Sequence, residues 1–133
     1  VRKDVFSFLK EEIIRGNKYD IIVSDPPPFS KNKKNKTKAL NGYTKINKLL
    51  FDIVNDKGFI AIASCTNGID HYELNNTVQN AAKEKKVKIF LLDIGIQSPD
   101  HPFSSFHSQG FYIKYLLYRV ELDIDGGTND SRI

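Results

Sequence analysis

The chain has 133 residues, 40% hydrophobic and 27% charged, with a net charge of +4; that balance suits one soluble globular domain, or part of one. No apolar run approaches the roughly 20 residues of a membrane span, and the opening VRKDVFSFLKEEIIRG has acids among its apolar residues and no small-residue cleavage pattern, so it is a poor signal peptide. The single cysteine, Cys65, excludes an internal disulfide framework and a cysteine-rich zinc site, and is compatible with a reducing, cytoplasmic compartment.

In chain order, Val5 to Gly16 has apolar residues at 5, 6, 8, 9, 13 and 14, near helical spacing, with the glycine as a stop. YDIIVSD, from Tyr19, is a short strand with isoleucine and valine at its centre. Phe29 to about Leu40 has no periodicity and reads as a loop. GYTKINKLLFDIVNDKG places Ile46, Leu49, Leu50, Ile53 and Val54 on one helical face, and Gly58 is expected to end that helix. Phe59 to Cys65 is an apolar strand without strict alternation, the pattern of a sheet covered on both faces.

Thr66 to Gly68 turns the chain into DHYELNNTVQNAAKEKK, a helix whose terminal lysines complement its negative end. VKIFLLDIG is a third strand, IQSPDHPFSSFHSQG a long polar loop, and FYIKYLLYRVEL a last strand. Residues 1–122 carry these elements, and 123–133 read as a frayed tail. Strands alternating with helices predict an α/β fold, a mostly parallel sheet with helices on both faces. The last two strands lack a helix between them and are expected to be antiparallel.

Ligands of open parallel sheets bind beyond the carboxyl ends of the strands. Asp25 to Phe29 follows the first strand and Cys65 ends the second, so both stretches are expected side by side on one rim. Pro26, Pro27 and Pro28 have no backbone donor but keep their carbonyls; they make a stiff wall against which an amine or ring N–H can sit. Phe29 offers a face for a flat base. Asp25 can accept from an amino group, or simply cap a turn. Cys65 is either an inert small hydrophobe or a thiolate nucleophile. Asp100 and His101, bracketed by prolines, form a pocket wall or a surface turn. His71 and His107 show no ligand spacing with His101, so no metal site is expected. Seven lysines and no acid lie between Lys31 and Lys48, which suggests a phosphate-bearing partner or a solvated loop.

Taken together, YDIIVSDPPPFSKNKK, GYTKIN, GFIAIASCT, DHP and YIKYLLYRV resemble the pattern of the PUA-domain-containing large-subunit ribosomal RNA cytosine-C5 methyltransferases. The likeness runs from Asp4 to about Val120. It implies a Rossmann-like class I fold that uses S-adenosylmethionine (SAM), with RNA as substrate. It further implies that Cys65 attacks C6 of cytosine and that Asp25 with Pro26, Pro27, Pro28 and Phe29 lines the base site. Lys31, Lys34 and His101 would contact the substrate, Asp4 would lie by the adenine of SAM, and Asp25 would border SAM as well as the base.

The chain departs from the pattern at Thr66-Asn67-Gly68 and Gln109-Gly110, where the family has serine after the cysteine and an acid before the glycine. No glycine-rich loop follows a first strand, and no acid follows a second. The chain therefore looks like the carboxyl half of a catalytic domain, expected to be inactive alone. The half sheet's exposed edge should be covered by a second copy or another partner. Guanine N-methylation, whose enzymes carry a similar DPPxFS motif, and a non-catalytic RNA-binding or dimerisation module are the alternatives.

Overall fold

A computed structural model describes residues 4–26, 35–64, 68–97 and 113–122. The elements in order are α1 (Val5–Arg15), β1 (Tyr19–Ser24), α2 (Lys36–Phe51), β2 (Val54–Ser64), α3 (His71–Lys85), β3 (Val87–Gln97) and β4 (Ile113–Leu122). They build a four-stranded sheet in the order β1-β2-β4-β3. β1 and β2 are parallel, and β4 runs antiparallel to both β2 and β3. The α/β class and the antiparallel last strand follow the sequence expectation. The tail at 123–133 and most of the predicted polar loop lie outside the described residues.

Helix boundaries follow local chemistry. Asp4 caps α1 by accepting from the Ser7 backbone N at 3.1 Å, and Gly16 closes it at φ 76, where glycine carries no Cβ penalty. Asp70 caps α3 in a full capping box with Glu73, which satisfies two backbone donors that a helix start leaves orphaned.

Two boundaries differ from the sequence reading. α2 begins at Lys36, inside the stretch read as a loop, because Asn35 supplies no side-chain cap to announce it. It ends at Phe51, and Ile53 and Val54 leave it for the sheet. The amide of Tyr19 takes the carbonyl of Ile53 at 2.8 Å, and Val54 is fully buried at the start of β2. Both residues fit a helical stripe and a strand equally well in sequence, and pairing with β1 decides. Gly58 is thus a strand residue rather than a helix stop.

The pairing of β1 with β2 shifts between Tyr19 and Ile21, so that Tyr19 faces Val54 but Ile21 faces Phe59. The extra β2 residues bulge through Lys57, at φ 68, and return at Gly58. A Cβ on Gly58 would lie 2.8 Å from the Asp20 carbonyl and 2.9 Å from that of Asn55. The strands approach too closely there for any side chain.

Alternation along the strands divides the sheet into two unlike faces. Ile60, Ile62 and Ser64 of β2 and Leu116, Tyr118 and Val120 of β4 are buried beneath the helices. Leu9 of α1, Tyr43, Ile46 and Leu50 of α2, and Leu74 and Val78 of α3 complete this one core. On the other face Ile21 is 69% and Val23 71% exposed. The expected helical cover on both faces is therefore met on one face only among the described residues. The apolar runs that suggested double cover are present in sequence, and their outward half faces solvent. Leaving Ile21 and Val23 out forgoes most of the roughly 1.5–3 kcal/mol that burying each would contribute.

Two outcomes follow from this packing. Gly58→Ala forces two backbone carbonyls apart and should cost about 1–3 kcal/mol, read as a lower urea midpoint at unchanged slope. Tyr118 is fully buried, its hydroxyl donates to Asn75 Oδ1, and burial raises its pKa well above the ordinary 10.0. Because the folded value is raised, its contribution is complete below the unfolded pKa and is lost as pH climbs above about 10. Urea titrations from pH 8 to 11 should show stability falling at the alkaline end, and Tyr118→Phe should flatten that fall.

Candidate active site at the carboxyl rim

Parallel strands end on the same side. Ser24 of β1 stands beside Ile62 of β2, and β2 runs two residues further to Ser64. Asp25 follows the first strand and Cys65 the second, so the two stretches singled out in the sequence leave the sheet at one rim. Asp25 is exposed there and Pro26 is buried. Cys65, Pro27, Pro28, Phe29, Lys31, Lys34 and His101 lie outside the described residues.

Helices that follow strands in such a sheet begin at the rim. Lys36, in the first turn of α2, is ion-paired with Glu73 in the first turn of α3. At the far ends Lys48 reaches Glu84 at 3.2 Å and Lys85 reaches Asp52 at 2.8 Å. These pairs show α2 and α3 lying parallel, with both positive N-terminal ends at the rim. Lys36 is held by an acid, unlike the free lysine the basic run suggested, while Lys38 is exposed. Asp4 also stands at this end, because α1 runs back along the sheet into β1. Its Oδ2 accepts from Ser7 N and, at 3.4 Å, from Ser7 Oγ. Asp4 is therefore a helix cap, a role that the reading as a cofactor contact did not include.

The rim is held from beneath by polar groups that the sequence reading passed over. The Tyr43 hydroxyl and Ser64 Oγ are 2.9 Å apart, and both residues are fully buried. This bond ties α2 to the last residue of β2, directly before Cys65. One turn along α2, Asn47 Nδ2 donates to Thr77 Oγ1 of α3 at 3.1 Å, and that hydroxyl donates to the Leu74 carbonyl at 2.7 Å. Asn47 Oδ1 is buried and has no partner among the described residues. His71 Nε2, at the start of α3, donates to the Gly95 carbonyl of β3 at 3.0 Å. Tyr43 and Asn47 stood in the GYTKIN motif as two polar residues four apart on an apolar stripe. That spacing was the signal that could have found them.

Among the described residues no group of three His, Cys, Asp or Glu side chains could hold a metal, and no helix is long and apolar enough to cross a membrane. The rim instead gathers an exposed carboxylate, two helix N-termini and a strand end fixed by a buried hydroxyl pair. Such a place can accept hydrogen bonds from an amine and hold an anion.

No protein-family model matches the chain. Similar curated proteins include the ribosomal RNA large subunit methyltransferase I of Tolumonas auensis, 35% identical over 119 residues, and that of Aeromonas hydrophila, 34% identical over 120 residues. Each match takes in 90% of this chain and 30% of the relative. The chain thus spans about a third of the length of these relatives. Among solved structures, SMU.776, described as a methyltransferase complexed with SAH, superposes with a TM-score of 0.69 at 20% identity, over 88% of this chain and 30% of that one. A protein from Streptococcus mutans described as a SAM-dependent methyltransferase gives 0.68 over 88% and 29%. The chain shares the fold of the matching part of these structures.

The Tyr43–Ser64 bond makes a direct forecast. Tyr43→Phe removes one hydrogen bond between buried groups and should cost about 0.5–1.5 kcal/mol. A cycle with Ser64→Ala should give a coupling of about 1 kcal/mol in urea unfolding. Additive single and double variants would show that the two hydroxyls do not act as a pair.

Proposed function

We propose that the chain is the target-base half of a SAM-dependent RNA methyltransferase that acts on C5 of a cytosine in large-subunit ribosomal RNA. The observation that carries this reading is the parallel pairing of β1 with β2, which ends Asp25 and the residue before Cys65 on one rim. The similarity to the ribosomal RNA methyltransferases, which takes in 90% of the chain, supports it.

In this reading the Cys65 thiolate adds to C6 of the cytosine and forms a C–S bond. The electron pair released from the C5–C6 double bond makes C5 nucleophilic. SAM supplies the electrophilic methyl group. A base then removes the C5 proton, and the C–S bond breaks to restore the double bond and the thiolate. Asp25 accepts from the base's amino group, and Pro26, Pro27, Pro28 and Phe29 form its wall. Lys31 and Lys34 hold phosphates, and His101 borders the substrate. Asp4 fits a role at the adenine, because its carboxylate holds Ser7 through Oδ2, and Oδ1 can accept from an exocyclic amine.

The open face of β1 and β2, with Ile21 and Val23, and the edge of β1 that has no partner strand among the described residues call for cover. We assign them to the remainder of the catalytic domain, a second copy, or another partner, in a cytoplasmic enzyme. An uncovered apolar edge is a template for unwanted pairing.

The test grafts this chain onto the remaining sequence of the Tolumonas auensis relative, in place of its matching segment. The graft is incubated with SAM and with ribosomal RNA carrying 5-fluorocytosine at the target. Fluorine blocks the elimination that frees the enzyme, so a covalent adduct through Cys65 should accumulate. Cys65→Ala should abolish the adduct and nearly all turnover on normal RNA while leaving RNA binding close to unchanged. Substantial methylation by the alanine variant would assign Cys65 to packing and favour direct attack by a guanine nitrogen.

A further inference from the structure

α2 carries four lysines and no acid along its 16 residues. The fold sorts the four by side. Lys36 and Lys48 reach α3 and pair with Glu73 and Glu84. Lys38 and Lys45 are exposed and meet no acid at ion-pair distance among the described residues. Seven positions separate them, which is two helical turns to within about 20°. Asn41, also exposed, lies between them on the same side. Ala39, Tyr43, Ile46 and Leu50 of the same helix face the core instead. The two lysines therefore share one outward stripe, with their backbone positions roughly 10 Å apart along the axis.

Helix stability does not account for this stripe. Lys38 is in the first turn of α2, where a cation opposes the helix dipole. No acid in that turn and no side-chain cap from Asn35 offsets it. Lys45 has no acid three or four positions away to answer its charge. Its ammonium is held over the Phe6 ring of α1, 4.8 Å from the centroid. A ring fixes an ammonium without neutralising it, so Lys45 is placed in advance and keeps its charge for a group outside the chain. The stripe also continues a basic segment. Lys31, Lys33 and Lys34 precede α2 in sequence with no acid between them and Lys45, and α2 leads away from the rim.

We propose that the outer face of α2 is a docking track for the sugar–phosphate backbone of RNA, carrying the strand that flanks the target base away from the rim. Lys38 and Lys45 each hold a phosphate. The aromatic residues of α2, Tyr43 and Phe51, are buried, so no base stacks on the track. Its contacts position the strand and carry no sequence information. An acidic peptide could pair with the same lysines. The stripe, however, departs from the place read above as the base site, and a strand whose base enters that site must leave over a neighbouring surface. The proposal rests on the reading that RNA is the substrate. Its consequence is that part of the substrate affinity comes from nucleotides beside the target, whatever their bases, while the chemistry stays at the rim.

The experiment measures binding of a fluorescein-labelled 12-nucleotide uridine oligoribonucleotide to the 133-residue chain across a salt series. Lys38→Gln with Lys45→Gln is compared with a control pair, Lys83→Gln with Lys88→Gln, which makes the same change in net charge at exposed positions of α3 and β3. The stripe pair should reduce the slope of log affinity against log salt by about 1.4, from about 0.7 per lost phosphate contact, and weaken binding about tenfold at moderate salt. The control pair should do little. Asn41→Lys adds a cation in the middle of the stripe and should steepen the slope by about 0.7 and tighten binding, a gain that a misfolded variant would not show. A wild-type chain that does not bind the oligomer, a stripe pair that behaves like the control, or an Asn41→Lys variant of unchanged slope would overturn the proposal. So would tighter binding of a hexaglutamate peptide, which would assign the face to an acidic protein segment. Binding is read without methyl transfer, so this track can fail while the cysteine adduct forms, and the adduct can fail while docking holds.

Discussion

The architecture depends on the parallel pairing of β1 with β2. A parallel pair cannot be joined by a tight turn, so the chain between them must cross the sheet, and α2 is that crossing. The crossing brings α2 down onto the sheet face that Ile60 and Ile62 present, and it brings both strands to an end on the same side. Everything at the rim follows from this geometry. Asp25 and Ser64 are 39 positions apart in the chain and stand at one rim only because the strands run the same way. β4 then enters between β2 and β3 in the opposite direction, so that β2 is paired on both edges.

Burial on one face makes the sheet asymmetric, and the asymmetry is informative. Beneath the helices the strand side chains are almost completely excluded from water, down to 0% exposure for Leu116, Tyr118 and Val120. On the opposite face aliphatic side chains of β1 stand largely in solvent. A folded domain seldom leaves so much branched apolar surface uncovered, because the hydrophobic contribution of each such residue rivals a tenth or more of a domain's net stability. The open face lies beside the outer edge of β1, which has no partner strand among the described residues.

Polar groups at the interface of α2 with the sheet and α3 carry the precision of the rim. The Tyr43–Ser64 and Asn47–Thr77 bonds are buried, where low dielectric strengthens a hydrogen bond and makes a missing partner costly. They restrict how α2 can slide against β2. The ion pairs Lys36–Glu73, Lys48–Glu84 and Lys85–Asp52 sit at the ends of the helices and are partly exposed, so each contributes little to stability. Their larger effect is on charge. They use up acids and lysines at both ends of the helix pair.

Much of this was legible in the chain itself. The alternation of helix and strand, the antiparallel last strand, the helix of DHYELNNTVQNAAKEKK, and the shared rim at which the first two strands end all rest on local periodicity and residue type, which act over a few positions. What the sequence left open are matters of partnership. Ile53 and Val54 suit a helix or a strand until β1 offers its amide to the Ile53 carbonyl. Gly58 reads as a helix stop until the Asp20 and Asn55 carbonyls close in on it. Lys36 reads as a free cation until α3 presents Glu73. Tyr43 and Asn47 read as tolerated polar residues until Ser64 and Thr77 meet them from elements 21 and 30 positions away. Apolar runs mark a strand as buried but not on how many faces, because that depends on which layers are there to cover it. Local pattern determined which elements form, and only contacts between distant segments decided which groups are satisfied, which are neutralised, and which remain open.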